Sequence, residues 1–268
     1  MRNPVSADPS ARAGLPVVDR MRQIAGVKRR TDPRAELSGS GLQCFAPRAG
    51  HARRAKAWVA LGLLSLGGCA TLDEPRNLDA HKQELRAYVE TGAYARGLER
   101  SAAEATRWIE QRVARRSDGE QLAIVMDLDE TLLLNWTRID ASDFTYVRAD
   151  WDRWVAEASA PAIQPMLDLF HYARSKNVDV FFITGRPERH RRDTERNLQR
   201  IGCDGYRGLS CAPDDWKGTA AEFKMARRRQ IVGEGRTIIA NIGDQASDLV
   251  GGFAERTFKV PNPFYLSK

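Results

Sequence analysis

The chain reads LAIVMDLDET at residues 122–131. An apolar run rich in branched side chains that ends in carboxylates is typical of a buried parallel strand, whose carboxyl end opens onto a ligand crevice. If the backbone stays extended, Asp127 and Asp129 project to the same side. Neighbouring carboxylates repel each other and push their pKa values apart, which favours a division into nucleophile and acid/base. Alone, the motif is equally consistent with an acidic turn after a strand.

Three further segments carry polar residues that suit the same chemistry. The apolar run 178–183 leads into Thr184-Gly185-Arg186, whose hydroxyl and free amides are suited to phosphoryl oxygens. The apolar run 237–242 leads into an acidic segment at residues 244–248. Lys224, in a stretch with helical spacing, offers a neutralising cation. Carboxylate oxygens at this density favour a hard cation such as Mg²⁺.

The spacing of apolar residues predicts the architecture. Runs at 121–127, 178–183 and 237–242 alternate with helical segments, which predicts a parallel α/β sheet flanked by helices. Residues 78–117 have helical spacing and are predicted to form two helices that pack on the core. The chain after residue 69 is long enough for one domain with a full core.

The order Asp, Thr, Lys and paired Asp in these strand contexts resembles the haloacid-dehalogenase (HAD) superfamily of phosphohydrolases. Within it, the chain is similar to the subfamily IIIB acid phosphatases, which include bacterial lipoprotein-type class C acid phosphatases and plant vegetative storage proteins. The resemblance covers residues 78–266 and includes four further segments: Tyr88 and Tyr94 around Gly92; Thr194 with Asn197, Leu198 and Gly202; Phe223 and Lys224 with Arg228; and residues 258–263. It implies a HAD-like Rossmannoid sheet between helices, with a small cap formed by the N-terminal helices and the insert after the first catalytic strand.

The resemblance implies a role for each residue of the catalytic segments. Asp127 attacks phosphorus and becomes a transient aspartyl phosphate, while Asp129 protonates the leaving oxygen and then activates water. Thr184 and Gly185 bind the phosphoryl oxygens. Lys224 holds the nucleophile and balances charge. Because some storage-protein relatives lack the nucleophile, the intact Asp127 indicates an active enzyme.

A Mg²⁺ site is also implied by the resemblance. Its ligands are Asp127, the backbone carbonyl of Asp129, and Asp244, with Asp248 in support through water or an outer contact. The metal neutralises charge and orients the in-line displacement. The histidines lack metal-ligand spacing and are assigned no role: His51, His81, His171 and His190.

Three assignments have alternatives that the sequence leaves open. Asp248 is also a candidate cap for the following helix. Lys217 precedes the third strand and is an alternative to Lys224. Arg186 is a candidate substrate clamp, but the basic stretch 186–192 that it begins favours a solvated helix face.

Residues 53–68 have the features of a secretory signal. The basic residues RRAK at 53–56 precede a twelve-residue apolar stretch at 57–68, which is too short to span a bilayer. The LGGC tetrad at 66–69 resembles a bacterial lipobox, which implies cleavage before Cys69, acylation of its sulfur and export to the outer membrane. The alternative is a buried apolar helix with an ordinary cysteine.

The segments on either side of this signal are predicted to lack a fold. Residues 1–52 are rich in Arg, Ala, Gly, Ser and Pro, and are expected to be a disordered extension or a misassigned start. Residues 69–77 are expected to be a tether, so that the folded domain covers residues 78–268. Contact with the membrane is then expected through the lipid anchor only.

The basic charge of the chain belongs mostly to the leader. The whole chain has 42 Lys and Arg against 35 Asp and Glu, a formal charge of +7. Residues 1–68 hold 12 of these basic and 4 of these acidic residues, which leaves 30 against 31 in the remainder. Nucleic-acid binding therefore has no support from composition.

The insert at residues 135–162 carries five aromatic side chains that bear on the substrate: Trp136, Phe144, Tyr146, Trp151 and Trp154. They could stack a nucleobase or form the core of a cap. The i, i+3 spacing of Trp151 and Trp154 favours a core position for both, whereas Trp136 and Tyr146 are undecided. Small phosphomonoesters, with nucleoside monophosphates among them, are the predicted substrates.

Two cysteines remain once Cys44 is assigned to the leader and Cys69 to lipid. In an oxidising periplasm, Cys203 and Cys211 are expected to form a disulfide across the loop between them. The bond requires suitable geometry, which the sequence does not establish.

Three functional hypotheses follow from the motifs. The first is an exported, lipid-anchored, Mg²⁺-dependent phosphomonoesterase. The second is a protein phosphatase with the same Asp-x-Asp-x-Thr signature, but export and the segments at 184–186 and 243–245 argue against it. The third is a surface binding or storage lipoprotein of the same fold that has lost activity. An inactive relative is expected to have changed at one or more of the catalytic positions, and all four are intact: Asp127, Asp129, Lys224 and Asp244.

Overall fold

The computed structural model describes residues 75–267. The predicted extension, the signal, Cys44, Cys69 and most of the tether lie outside the described residues. Within them, no helix combines the length and the apolar character that crossing a membrane requires.

Five parallel strands form one sheet in the order β3-β2-β1-β4-β5. The strands are β1 Gln121–Met126, β2 Asp179–Pro187, β3 Gly208–Ala212, β4 Arg236–Gly243 and β5 Thr257–Lys259. The three predicted strands correspond to β1, β2 and β4, and the predicted parallel α/β fold is confirmed. Because the chain moves from β1 to one side and returns with β4 on the other, the crevice lies at the carboxyl end of β1.

Helices cover the sheet and connect its strands. They are α1 Leu78–Glu90, α2 Ala93–Val113, α3 Trp136–Ala141, α4 Arg148–Glu157, α5 Gln164–Ser175, α6 Arg191–Arg200, α7 Ala220–Gly233 and α8 Ala246–Leu249. A short 3₁₀ helix, Glu188–His190, precedes α6. The two helices predicted within residues 78–117 are α1 and α2.

Local chemistry sets several helix boundaries. Asn77 caps α1, because its side-chain oxygen accepts hydrogen bonds from the amides of Asp79 and Ala80 at 2.9 and 3.2 Å. Gly92 separates α1 from α2 with φ +74°, a left-handed conformation that favours glycine. Thr219 and Glu222 form a capping box at the start of α7. This cap fixes the helix that carries Lys224.

β1 is buried on both faces of the sheet. Leu122, Ile124 and Met126 belong to a large apolar cluster to which α2 and α5 contribute, whereas Ala123 and Val125 belong to a smaller cluster with α7. The alternation arises because successive side chains of a strand point to opposite faces. Burial on both sides fixes the position of the polar residues that follow β1.

The insert between β1 and β2 forms the predicted cap together with α1. Arg86 of α1 donates hydrogen bonds to Asp140 at 2.7 Å and to Asp143 at 2.9 Å. Trp136, at the start of α3, is buried and packs on Phe264, with ring centroids 4.9 Å apart. The insert is therefore attached both to the N-terminal helix and to the segment that follows β5.

The predicted disulfide between Cys203 and Cys211 is wrong, because both thiols are free and buried. Cys203 follows α6 and packs in the larger apolar cluster, whereas Cys211 lies in β3 and pairs with Thr184 in the ladder with β2. Burial raises the pKa of Cys203 to about 12 and that of Cys211 to about 11. Each cysteine therefore acts as a small apolar side chain of a different element.

Phe182 tests the packing of β2. Its side chain is fully buried, and its ring centroid lies 5.9 Å from that of Phe170 and 5.3 Å from that of Tyr206. Because Phe182→Ala leaves a cavity, we expect the free energy of unfolding in urea to fall by about 3 to 5 kcal/mol. The control Val232→Ala removes a side chain that is 39 % exposed. It should change this free energy by less than about 0.5 kcal/mol, and equal losses would contradict the described core.

Candidate active site

Asp127 lies at the carboxyl end of β1, where the sheet opens. Its backbone N–H donates to the carbonyl of Ile242 at 2.9 Å, which continues the ladder between β1 and β4. The residue is only 7 % exposed. Lys224 Nζ, from α7, donates to Asp127 Oδ1 at 2.5 Å. The candidate nucleophile is therefore buried, oriented and ion-paired.

Lys224 links two acidic segments. Its Nζ also donates to Asp248 Oδ1 at 2.5 Å, and the residue is itself buried. Burial alone would lower the pKa of Lys224, but the charges of Asp127 and Asp248 more than offset this and raise it. The alternative cation, Lys217, is exposed. The structure therefore favours Lys224 as the partner of the nucleophile.

Three buried carboxylates form a cluster: an oxygen of each of Asp127, Asp244 and Asp248 lies within 4.8 Å of the others. The close approach depends on Gly243, because a Cβ there would lie 2.3 Å from the Cβ of Asp248. Three carboxylate oxygens at this spacing match the donors that Mg²⁺ prefers. The structure thus brings together three of the residues that the resemblance assigns to the metal.

Both oxygens of Asp248 are engaged. Oδ1 accepts from Lys224, and Oδ2 accepts from the backbone N–H of Gln245 at 2.7 Å. Asp248 lies inside α8, so it does not cap a following helix as the alternative stated. It caps α8 itself from the third helical position and also holds Lys224. With both oxygens in use, Asp248 is suited to a supporting place beside a metal.

The carboxylates of the cluster destabilise each other's charged forms. Burial raises the pKa of Asp127, Lys224 opposes this shift, and the charges of Asp248, Asp244 and Asp129 add to it. Burial, together with the charge of Asp248, also raises the pKa of Asp244. A bound cation would relieve this repulsion, so the donor set and its electrostatics both fit a divalent metal.

Asp129 is held by Arg186 in a bidentate ion pair. Arg186 Nε donates to Asp129 Oδ2 at 2.9 Å and Nη2 donates to Oδ1 at 2.7 Å. Asn135 Nδ2 also donates to Oδ1, at 3.0 Å. Burial alone would raise the pKa of Asp129, but the charge and hydrogen bonds of Arg186 lower it below the usual value. The pair fixes the orientation of the candidate acid/base.

The predicted solvated helix face is wrong for Arg186. The residue belongs to β2, is 4 % exposed, and donates through Nη1 to Thr194 Oγ1 at 3.1 Å. β2 runs to Pro187, beyond the predicted end at residue 183, so the helical part of the basic stretch begins only at Glu188. Arg192, farther along, is exposed as predicted.

Thr184 and Gly185 lie at the carboxyl end of the same strand. Thr184 is buried, and its Oγ1 accepts a hydrogen bond from the backbone N–H of Arg186 at 3.1 Å. Gly185 is exposed and lines the cavity described below, with no atom within 4 Å of the place of a Cβ. The backbone of Gly185 is therefore open to a ligand, whereas Thr184 orients the turn behind it.

Glu130 anchors a hydrogen-bond network that the sequence reasoning missed. It is fully buried, and its φ of +55° is unusual for a residue with a side chain. Its Oε1 accepts from the backbone N–H of Asn135 at 2.7 Å, and its Oε2 accepts from Asn135 Nδ2 at 3.0 Å and from the hydroxyl of Tyr265 at 2.6 Å. Burial, with the charge of Asp129, raises the pKa of Glu130 to about 8. Its only sequence signal is its place in the DLDET motif.

Residues 262–265 close the site from the other side. Asn262 Nδ2 donates to Asp244 Oδ2 at 2.7 Å, and Tyr265 donates to Glu130. The Phe264 ring contacts that of Tyr94, with centroids 5.0 Å apart. The segment after β5 therefore supports both acidic segments.

A cavity of about 770 Å³ opens beside the carboxylates and combines them with aromatic side chains. Asp127, Asp129 and Lys224 form part of its wall. Six aromatic residues also line it: Phe144, Tyr146, Trp151, Trp216, Phe264 and Tyr265. The wall therefore offers both charged and aromatic groups to one ligand.

The aromatic residues of the insert divide between the core and this cavity. The predicted core position is wrong for Trp151, which lines the cavity, whereas Trp154 does pack against the core and donates to Asn135 Oδ1 at 2.8 Å. Of the undecided pair, Trp136 is buried and Tyr146 is 66 % exposed. The i, i+3 spacing of Trp151 and Trp154 does not show which of them faces the core and which faces the cavity. That difference depends on how α4 packs against the rest of the domain.

His190 also lines the cavity, although no role was predicted for it. Its Nε2 lies 3.0 Å from Asp152 Oδ1. Burial lowers the pKa of His190, and Asp152 opposes this shift. A lone histidine within a basic stretch carries no sequence signal for this position.

A family model described as HAD superfamily, subfamily IIIB (acid phosphatase), matches residues 71–268. The chain belongs to this family. The match covers every described residue, and it confirms the resemblance that the catalytic segments indicated. It also argues against the protein-phosphatase hypothesis.

Relatives of this subfamily IIIB chain include enzymes and storage proteins. It is 38 % identical to acid phosphatase 1 of Solanum lycopersicum over 146 residues, which are 53 % of this chain and 57 % of that protein. It is 30 % identical to vegetative storage protein 1 of Arabidopsis thaliana over 145 residues, 53 % of this chain and 54 % of that one. The chain spans about half the length of the curated relatives it matches.

The same architecture occurs in a solved structure of the class C acid phosphatase from Bacillus anthracis. The TM-score is 0.58 at 24 % sequence identity, over 69 % of this chain and 86 % of that one. At this identity the similarity concerns the fold, and it confirms the predicted HAD-like architecture.

Arg186 and Arg192 allow a direct test of the ion pair with Asp129. Arg186→Gln leaves a largely buried carboxylate without its partner, so we expect the free energy of unfolding to fall by on the order of 3 kcal/mol. Arg192→Gln removes an exposed charge and should change it by less than about 0.5 kcal/mol. Urea unfolding followed by tryptophan fluorescence measures both. Two equally small effects would show that Arg186 is solvated.

Proposed function

We propose that the protein is an acid phosphatase that hydrolyses small phosphate monoesters through an aspartyl phosphate on Asp127, with Mg²⁺ as its cofactor. The observation that carries the proposal is the buried pair of Asp127 and Lys224 at the wall of a cavity. It presents an oriented carboxylate beside other carboxylates that suit a metal. Membership of subfamily IIIB supports the same chemistry.

Asp127 and Lys224 would carry out the first step. Lys224 engages Oδ1 and stabilises the ionised carboxylate, while the other carboxylate oxygen attacks phosphorus as the bond to the leaving oxygen breaks. Gly185, with its open backbone, would receive the phosphoryl oxygens, and Thr184 would bind them from behind the turn. Lys224 also balances the charge that the phosphoryl group brings.

Asp129 would move the proton in both steps. Arg186 holds Asp129 at the cavity wall. After taking up a proton from solvent, the Asp129 carboxyl group would protonate the leaving oxygen, and the carboxylate that results would then accept a proton from the attacking water. The same group serves twice because the second step reverses the direction of proton transfer.

The metal would be held by Asp127 and Asp244, with the backbone carbonyl of Asp129 as a further ligand and Asp248 in support. When bound, Mg²⁺ supplies neutralisation of the phosphoryl charge and in-line orientation of the reacting groups. The raised pKa values of Asp127 and Asp244 support a cation at this place.

The cavity supports substrates of small size, with nucleoside monophosphates among them. Its volume of about 770 Å³ suits a small ligand, and its wall includes the partly exposed ring of Tyr265, which offers a face for stacking a base. We propose small phosphate esters as the substrate class, and nucleotides are one group of substrates in the phosphate-release assay below.

Phosphate release by purified residues 70–268 tests the proposed reaction. With Mg²⁺ we expect turnover of a panel of nucleoside monophosphates and sugar phosphates, and none with EDTA. Asp127→Asn removes the nucleophile and should lower kcat by about 1000-fold or more. Asp118→Asn, at an exposed loop position, is the matched control and should keep full activity.

A thermal shift separates metal binding from turnover. Mg²⁺ should raise the melting temperature of the unmodified protein but not that of Asp244→Asn. Full activity of a folded Asp127→Asn protein would rule out the proposed nucleophile. No turnover by folded, Mg²⁺-loaded protein would favour the alternative, an inactive binding or storage lipoprotein of the same fold.

We further propose that the protein is exported and anchored by lipid on Cys69 to the bacterial outer membrane. The basic flank, short apolar stretch and LGGC tetrad at residues 53–69 support this. When the full chain is made in a bacterial host with labelled palmitate, we expect the label to be lost in Cys69→Ala and kept in the control Cys44→Ala. Label retained by Cys69→Ala would contradict the anchor.

A further inference from the structure

Arg138 is a cation in the cavity wall that has no anionic partner among residues 75–267. It belongs to α3, in the cap, and lines the cavity. Its Nε and Nη2 are buried, and neither has a hydrogen-bond partner among residues 75–267. Buried polar groups in proteins are almost always satisfied, so a guanidinium left in this state calls for an acceptor from outside the chain.

The surroundings of Arg138 are aromatic. Its guanidinium carbon lies 5.8 Å from the ring centroid of Tyr146 and 5.2 Å from that of Trp151. The face of an aromatic ring attracts a cation, but it does not accept the in-plane hydrogen bonds of a guanidinium group, as a carboxylate does. Since Tyr146 is 66 % exposed, its ring can turn and uncover the guanidinium without disturbing the core.

Two of the other arginines of the same wall are paired, and the third, Arg148, is exposed. Arg186 binds Asp129, and Arg189 Nη1 donates to Asp214 Oδ1 at 3.1 Å. The free guanidinium of Arg138 is therefore a local feature of the cap and does not reflect a general shortage of acceptors in the cavity.

Arg138 is connected to the candidate acid/base through Trp151 and Arg186. Arg138 and Arg186 both lie over the ring of Trp151, at 5.2 and 5.6 Å from its centroid. Arg186 in turn holds Asp129, the group that would protonate the leaving oxygen. A substrate whose phosphoryl group contacts Asp127 would thus extend its leaving group along Trp151 towards Arg138.

We propose that Arg138 binds a second anionic group, a carboxylate or a further phosphate, on the leaving group of the substrate. The planar guanidinium matches both groups, since each accepts two parallel hydrogen bonds. The protein then prefers phosphate monoesters whose leaving group is itself negatively charged. This inference rests on the proposed phosphatase activity and specifies its substrate class.

Matched substrates test the preference. The pair 2-phosphoglycerate and glycerol 2-phosphate differs by a carboxylate, and the pair adenosine 3′,5′-bisphosphate and adenosine 5′-monophosphate differs by a phosphate, with products identified by chromatography. A charge-assisted pair corresponds to about 10- to 100-fold, so kcat/KM should be higher by this factor for the doubly anionic member of at least one pair. Which pair responds identifies the anion as carboxylate or phosphate.

Two variants connect the preference to Arg138. Arg138→Gln should lower kcat/KM about 10- to 100-fold for the preferred substrate and leave its singly anionic partner within about 3-fold. Arg138→Lys keeps the positive charge but loses the two parallel N–H donors of the guanidinium group, so it should retain part of the preference. Arg115→Gln is the control, because Arg115 stacks on Trp108 at the far end of α2 and does not line the cavity.

Three results would overturn the inference. The first is that the unmodified protein shows no preference for the doubly anionic substrate of either pair. The second is that the preference survives Arg138→Gln. The third is that Arg138→Gln lowers kcat/KM equally for both members of a pair, as a purely structural role of Arg138 predicts. Calorimetric binding of the same four compounds to Asp127→Asn and to Asp127→Asn/Arg138→Gln measures the preference without turnover. If the unmodified protein hydrolyses nothing, the phosphatase proposal fails, while the binding preference still decides the role of Arg138.

Discussion

The ion pairs of Lys224 with Asp127 and Asp248 are the contacts on which the rest of the site depends. Carboxylates taken out of water are costly unless they are paired, and three of them lie within 4.8 Å here. Lys224 offsets part of this repulsion from the interior of α7. Because its two partners follow different strands, the same cation also fixes the distance between the ends of β1 and β4.

The helix that supplies Lys224 holds the acidic segment by its backbone as well. Arg228, one turn farther along α7 and fully buried, donates to the carbonyls of Asp248 at 2.7 Å and Gly252 at 2.9 Å, and also to that of Val250. Arg228 thus satisfies carbonyl groups that a four-residue helix leaves open at its end. Helix α7 therefore orients the carboxylate of Asp248 and also fixes the backbone of residues 248–252.

Three of the five strands, their parallel arrangement and the family could be predicted from the sequence, because each depends on local periodicity and on polar residues that follow apolar runs. The short strands β3 and β5 were not predicted. The environments of Arg186 and Trp151 could not be predicted either. Whether Arg186 is solvated depends on where β2 ends, and four residues of continued strand turn it towards Asp129. The free thiol of Cys203 likewise depends on core packing, which the spacing of cysteines does not encode.

The contacts of residues 262–265 have a consequence for biosynthesis. Asn262 and Tyr265 complete the surroundings of Asp244 and Glu130, yet the ribosome makes them after all five strands and after the acidic segments that they support. Until translation has passed residue 265, the acidic segments lack these donors and the cavity lacks part of its wall. A chain that ends before residue 262 therefore contains the residues of all five strands but lacks part of the cavity wall.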